Sequence, residues 1–167
     1  VIDKAGYIYI TGSSWGDFDN QKNAGKTDAF ITKFDHTGHK IWTHLFGSWN
    51  SQHKESSSSI TSGNDGYIYV AGSTEGSLGW RWYFLDEFGK NTGSYNSGGS
   101  DACVSKFDSN GNRHWTHLIG STGDDSANDI CTDKNGNLYV VGYITGNIDD
   151  QVSSNIKNAF ITKLDSN

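Results

Sequence analysis

The chain has 167 residues and a formal net charge of −6, with 13 Lys+Arg against 19 Asp+Glu scattered along it. That balance argues against nucleic acid as a partner, because phosphate binding needs a concentrated basic surface, and no apolar run approaches the ~20 residues of a membrane-spanning helix. Gly is abundant at 21, Pro and Met are absent and 13% of the residues are aromatic, which suits many short strands joined by turns and not a disordered chain.

Val1-Ile2-Asp3 reads as the end of a strand, so the chain is expected to be an internal portion of a longer protein. The next strand lies in Gly6-Tyr7-Ile8-Tyr9-Ile10-Thr11-Gly12, followed by Asp28-Ala29-Phe30-Ile31-Thr32-Lys33-Phe34-Asp35 and by Lys40-Ile41-Trp42-Thr43-His44-Leu45-Phe46. The set then recurs: a Ser/Ile run ending at Ile60-Thr61-Ser62, then stretches 66–72, 101–108 and 113–119. A third set follows at Ile130-Cys131-Thr132, 136–142 and 158–165. Their length and β-branched and aromatic content predict strands, with no helix. Lys4-Ala5-Gly6, Asn64-Asp65-Gly66 and Lys134-Asn135-Gly136 place Gly where a hairpin turn needs positive φ, as do 35–38 and 108–111.

A strand unit repeated at 60 and then 70 residues predicts an all-β propeller segment of about three four-stranded antiparallel blades. The ring is either incomplete or completed by further chain or subunits. The expected blades are 1–48 with a truncated first strand, 49–121 with an aromatic insertion at 75–100, and 122–167 without its last strand. In a meander alternate connections fall at opposite ends, so the tight turns share one face and the long, variable loops share the other.

Trp42 and Trp115 occupy equivalent positions and are expected to pack between blades. Phe18, Leu78 and Ile148 each follow a strand glycine by six residues and are expected to anchor loops. Trp15, Trp49, Trp80 and Trp82 do not repeat, and all fall on the long-loop face. With Tyr83 and Phe84 they are the candidate binding residues, because broad rigid rings suit a sugar or a protein surface. The other reading is that the insertion packs on its own loop. Asp17, Asp19, Asp149 and Asp150 are candidate Ca²⁺ ligands, and Asp124/Asp125 form a similar pair in which Asp124 reads as a turn cap. None of these has the twelve-residue calcium-loop pattern. Cys103 and Cys131 read as small apolar strand residues, and His44 and His117 as a repeat feature. No catalytic motif occurs, so no catalytic residue and no cofactor beyond Ca²⁺ is expected.

The Asp-Ala-Phe-Ile-Thr-Lys-Phe-Asp strand, the Gly111-Asn112-Arg113-His114-Trp115 stretch, Leu-Ile-Gly-Ser-Thr-Gly-Asp-Asp at 118–125 and Gly-Asn-Leu-Tyr-Val-Val-Gly at 136–142 resemble the SBBP ("seven-bladed β-propeller") repeat family. The resemblance covers nearly the whole chain outside the insertion. It implies a propeller of secreted or cell-surface microbial proteins, with no defined activity. The family often carries Pro in the loop where this chain has Asp17-Phe18-Asp19. Asp35-x-x-Gly38-x-x-x-Trp42 and 108–115 are also similar to the tryptophan-docking repeats of quinoprotein propellers, which implies shared blade mechanics and not a shared cofactor. The expected function is a non-catalytic extracellular scaffold whose aromatic loops meet protein or glycan partners. The alternatives are a structural subunit of a cell-surface fibre or layer, and part of a propeller enzyme.

Overall fold

The computed structural model describes residues 1–48, 52–78, 95–147 and 156–165. Three antiparallel sheets follow one another along the chain. The first joins β1 (Ile8–Ser14), β2 (Asp28–Phe34) and β3 (Lys40–Phe46). The second joins β4 (Glu55–Ser62), β5 (Ile68–Thr74), β6 (Asp101–Phe107) and β7 (Arg113–Ile119). The third joins β8 (Ser126–Thr132), β9 (Leu138–Ile144) and β10 (Asn158–Leu164). The order within each is sequential, and no helix occurs among the described residues. These sheets are three successive propeller blades. Val1–Asp3 supplies a fourth lane to the first blade: Ile2 bridges Ile8 and the Tyr9 amide donates to Val1 O at 2.9 Å.

The hairpins form as their residues dictate. Gly6, Gly38, Gly66, Gly111 and Gly136 all adopt φ of 85–88°, a region costly for any residue with a Cβ. An Asp at the mouth of each first hairpin organises the turn. Asp3, Asp65 and Asp133 accept backbone amides of the turn and also the hydroxyls of Tyr9, Tyr69 and Tyr139 at 3.2, 2.6 and 3.3 Å.

β4 and β8 are bulged at equivalent places, between Ser57 and Ser59 and between Ala127 and Asp129. β4 is tied to both neighbouring blades: Ser57 Oγ donates to Gly12 O and Ser58 Oγ to Ala127 O, each at 2.6 Å. The bulge presses on the strand glycine beside it. A Cβ on Gly72 would stand 1.9 Å from Ser56 O, and one on Gly142 2.0 Å from Ser126 O.

The core lies between blades. Tyr9 and Ile31 of the first blade meet Ile68, Val70 and Phe107 of the second. Tyr69, Ala71, Ala102 and Val104 of the second meet Ala127, Ile130, Leu138 and Val140 of the third. Trp42 packs against the first cluster with its ring 6.1 Å from that of Tyr9, and Trp115 packs against the second, 5.9 Å from Tyr69. Lys33 lies 4.0 Å over the Tyr7 ring and donates across the junction to Ser109 O at 2.9 Å.

The two outer blade faces lack this cover. Ile31 and Val104 are fully buried, yet the equivalent Ile161 of the third blade is 73% exposed. On the opposite face Val70 and Val140 are buried and the equivalent Ile10 is 44% exposed.

Candidate functional site

The long loops gather at one end of the blades because backbone hydrogen bonds stitch them together. Lys26 N donates to His53 O and Glu55 N to Thr27 O, both at 2.8 Å, and Glu75 N donates to Lys54 O at 3.0 Å. The next junction repeats the pattern, with Gly99 N to Gly123 O at 3.0 Å and Asp125 N to Ser100 O at 2.7 Å. Asn23 and Asn96 hold their loops in the same way. Each accepts from the glycine two residues on, at 3.0 Å, and each donates to the end of the preceding strand, Ser14 O at 2.9 Å or Thr74 O at 3.0 Å.

Between the first and second blades this end opens into a cleft of about 370 Å³. Hydroxyl-bearing residues stand along it: Ser13, Ser56 and Ser73 line it, with Ser56 and Ser73 hydroxyls 2.9 Å apart. Lys54 and Glu75 stand at its side, 3.8 Å apart. Trp15 lines the same cleft and is 82% exposed. A flat indole beside hydroxyls and one ion pair can stack on an apolar ring face while hydrogen bonds form around it. A second cleft of about 560 Å³ lies along the outer strands of the same two blades, where His44, Phe46, Phe107 and Arg113 meet. Burial lowers the Arg113 guanidinium to about 10.

Beneath the loops lie four carboxyl groups with almost no exposure: Asp28, Glu55, Asp101 and Asp125. They lie at two equivalent places in the repeat, Asp28 and Asp101 opening β2 and β6, Glu55 opening β4 and Asp125 standing just before β8. Asp28 accepts Ala24 N at 2.8 Å and Gly25 N at 3.2 Å. Glu55 Oε1 accepts Ser48 Oγ at 2.9 Å and Thr74 Oγ1 at 3.0 Å, while Oε2 has no hydrogen-bond partner. The point where a Cβ on Gly47 would stand is 2.6 Å from Asp28 Oδ1 and 2.7 Å from Glu55 Oε2, so both oxygens converge over that glycine. At the second junction Asp125 accepts Ser121 N at 2.5 Å and Thr145 N at 2.9 Å. Asp101 accepts Ser97 N at 2.8 Å, and its Oδ1 has no partner. Gly120 abuts Asp101 there as Gly47 abuts Asp28.

Of the sequence-derived candidates, Trp15 lies at the loop-end cleft. Trp49, Trp80, Trp82, Tyr83, Phe84, Ile148, Asp149 and Asp150 lie outside the described residues. Asp17 pairs with Lys22 at 2.7 Å and accepts Asn23 N at 3.1 Å; the lysine contact, chiefly, lowers its pKa. Asp19 pairs with Lys40, which lowers it likewise. Asp19 and Asn20, both at positive φ, form the tip of a small turn bridged by Phe18 and Gln21. Phe18 rests on Phe30 with ring centroids 5.0 Å apart, and Leu78 is buried. Among the described residues no three His, Cys, Asp or Glu gather as for a metal ion. Cys103 is buried and Cys131 is exposed on its strand, both as free thiols. Sequence reasoning missed Asp28, Glu55 and Asp101, and it read Asp125 as half of a loop acidic pair. The signal available was an Asp opening the same strand in two repeats, at 28 and 101, and an acid opening the following blade, at 55 and 125.

A family model described as "Beta-propeller repeat" matches residues 1–19 and 114–149. The chain is also 27% identical over 126 residues to the regulatory protein FlaEY of Caulobacter vibrioides, which covers 75% of this chain and 12% of that protein. The chain thus spans a small fraction of its curated relative's length. No helix among the described residues is long and apolar enough to cross a membrane. Over β7 to β9 and the opening hairpin, this chain is similar to β-propeller repeats.

Proposed function

We propose that the chain is a non-catalytic scaffold that presents its long-loop end to a protein or carbohydrate partner. The observation that carries this reading is the exposed Trp15 at a serine-lined cleft between two blades. A large indole 82% exposed costs apolar hydration unless something covers it. The sequence expectation adds the non-repeating aromatics Trp49, Trp80 and Trp82, which fall in long connections of the repeat. An extracellular or cell-surface setting rests on the family resemblance alone.

The test is retention on glycan and protein arrays followed by Trp15→Ala on any ligand found. A central aromatic contact contributes roughly 2 kcal/mol, which is about thirtyfold in Kd. An unchanged Kd excludes Trp15 from the contact, and no retention at all removes the reading. A second reading, a subunit of a surface fibre or layer, is favoured by the bare faces at Ile10 and Ile161. Those faces suit further blades of the same repeat type, from the same protein or from another subunit.

A further inference from the structure

We propose that each of the two blade junctions is closed by one proton shared between two buried carboxyl groups, Asp28 with Glu55 and Asp101 with Asp125. The geometry carries the assignment: Asp28 Oδ1 and Glu55 Oε2 converge over Gly47, and Asp101 abuts Gly120 while Asp125 accepts the amide of the next residue, Ser121. At each junction one carboxylate is satisfied by at least two backbone amides, Asp28 by Ala24 and Gly25, and Asp125 by Ser121 and Thr145. Its partner keeps one buried oxygen without any hydrogen bond, Glu55 Oε2 or Asp101 Oδ1. A buried lone oxygen beside a second carboxylate is costly, because like charges in a dry site repel and neither is hydrated. Protonating the orphan oxygen turns it into a donor and leaves one negative charge per pair, which the amides already stabilise.

A bridging divalent cation fits less well, since amide N–H groups aimed at the same carboxylates take the lone pairs that an ion would need, and calcium asks for six or more oxygens. The surroundings agree. Glu55 and Asp101 are both raised, by desolvation first, with Asp28 and Asp125 respectively adding to the shift. The Cys103 thiol is pushed up to about 12, mainly by burial and then by the charges of Glu55 and Asp101. Cations nearby include Lys54, which lines the loop-end cleft with Glu55, and Lys22 and Arg113, which line the outer cleft with Asp28. His53 meets Ser48, which also bonds Glu55, at 3.2 Å.

The sign follows. A carboxyl whose folded pKa is raised contributes stability that is complete below the unfolded pKa and is lost as pH rises through the folded pKa. The blades are therefore held best in mild acid and loosen toward alkaline pH.

The experiment compares the 167-residue chain with Glu55→Gln and Asp101→Asn, by thermal melts from pH 4 to 9, with added Ca²⁺ and with EDTA. An amide supplies the same donor at every pH. Each variant is expected to exceed the wild type by roughly 2–4 °C at pH 8 and to meet it at pH 4, with no effect of Ca²⁺ or EDTA. Variants less stable than wild type at every pH overturn the proposal. So does a wild type that Ca²⁺ stabilises and EDTA weakens, which would indicate a bridging ion. Should a variant fail to fold, carboxyl ¹³C titration of the wild type decides the matter. Two carboxyls must stay protonated above the ordinary carboxylate range, and normal titration of all of them refutes the shared proton.

Discussion

The strand glycines Gly12, Gly72 and Gly142 occupy one position of the repeat, yet replacing them with Ala is expected to cost very different amounts. At Gly72 the new Cβ would stand 1.9 Å from Ser56 O and 2.8 Å from Ser57 Cα, both backbone. At Gly142 it would stand 2.0 Å from Ser126 O. Neither neighbour can swing aside, so the bulge in β4 or β8 must open and the blade must shift. Overpacking of this kind costs roughly 1–3 kcal/mol, or about 2–12 °C in Tm for a chain of this size. At Gly12 the neighbours are Phe30 ring atoms at 2.9 and 3.0 Å, the far end of a rotatable side chain. Val1–Asp3 pairs with β1 at Ile8 and Tyr9, and the three atoms nearest a Gly12 Cβ all belong to the Phe30 ring. Gly→Ala also lowers unfolded-state entropy by about 0.4–1 kcal/mol, which offsets the small ring displacement. Gly12→Ala is therefore expected to change stability by less than about 0.5 kcal/mol. Urea unfolding of the three variants measures the ranking. Equal losses at all three positions, or the largest loss at Gly12, would refute the argument that the inner-strand bulge imposes the glycine.

Ile31 and Ile161 make a similar contrast. Ile31→Ala in the buried first junction should cost roughly 2–5 kcal/mol, while Ile161→Ala on the bare face should cost under about 0.5 kcal/mol in the chain alone, as read by denaturant midpoints. Asp35, held at about 2 chiefly by the Thr37 hydroxyl and then by the His39 amide, should shape the acid limb. Its depressed pKa contributes stability above the unfolded carboxylate pKa that is lost as pH falls through about 2, so Asp35→Asn should flatten the Tm profile between pH 4 and pH 2.

Most of the blade architecture was readable because it is local. The hairpin glycines, the alternation in 7–10 and 67–70, and the Trp42 and Trp115 strands each carry their instruction within a few residues. The repeat alignment shows in the sheets, where Phe30, Cys103 and Phe160 face the equivalent glycines Gly12, Gly72 and Gly142. The carboxyl pairs were not readable in that way. Asp28 meets Glu55 only after β3 and a long loop bring the next blade alongside, so neither residue shows a partner at any characteristic spacing. Asp125 looked like half of a loop acidic pair, but the stitch from Ser100 draws it under the loops while Asp124 stays outside. Cys131 followed the apolar register of its neighbours, yet the bulge after Ala127 leaves it exposed.

The unchanged pairing of Gly72 with Cys103 has a consequence for how such a molecule can diversify. The middle unit carries a longer β5–β6 connection than the others, and its ladder runs from Thr74↔Asp101 to Ile68↔Phe107 without a slip. Length added at that end is absorbed before it reaches the β5–β6 ladder. Foreign segments grafted between Leu78 and Tyr95 should be displayed on a frame that does not register their presence, which makes the position a port for rewriting recognition while the chassis stays fixed.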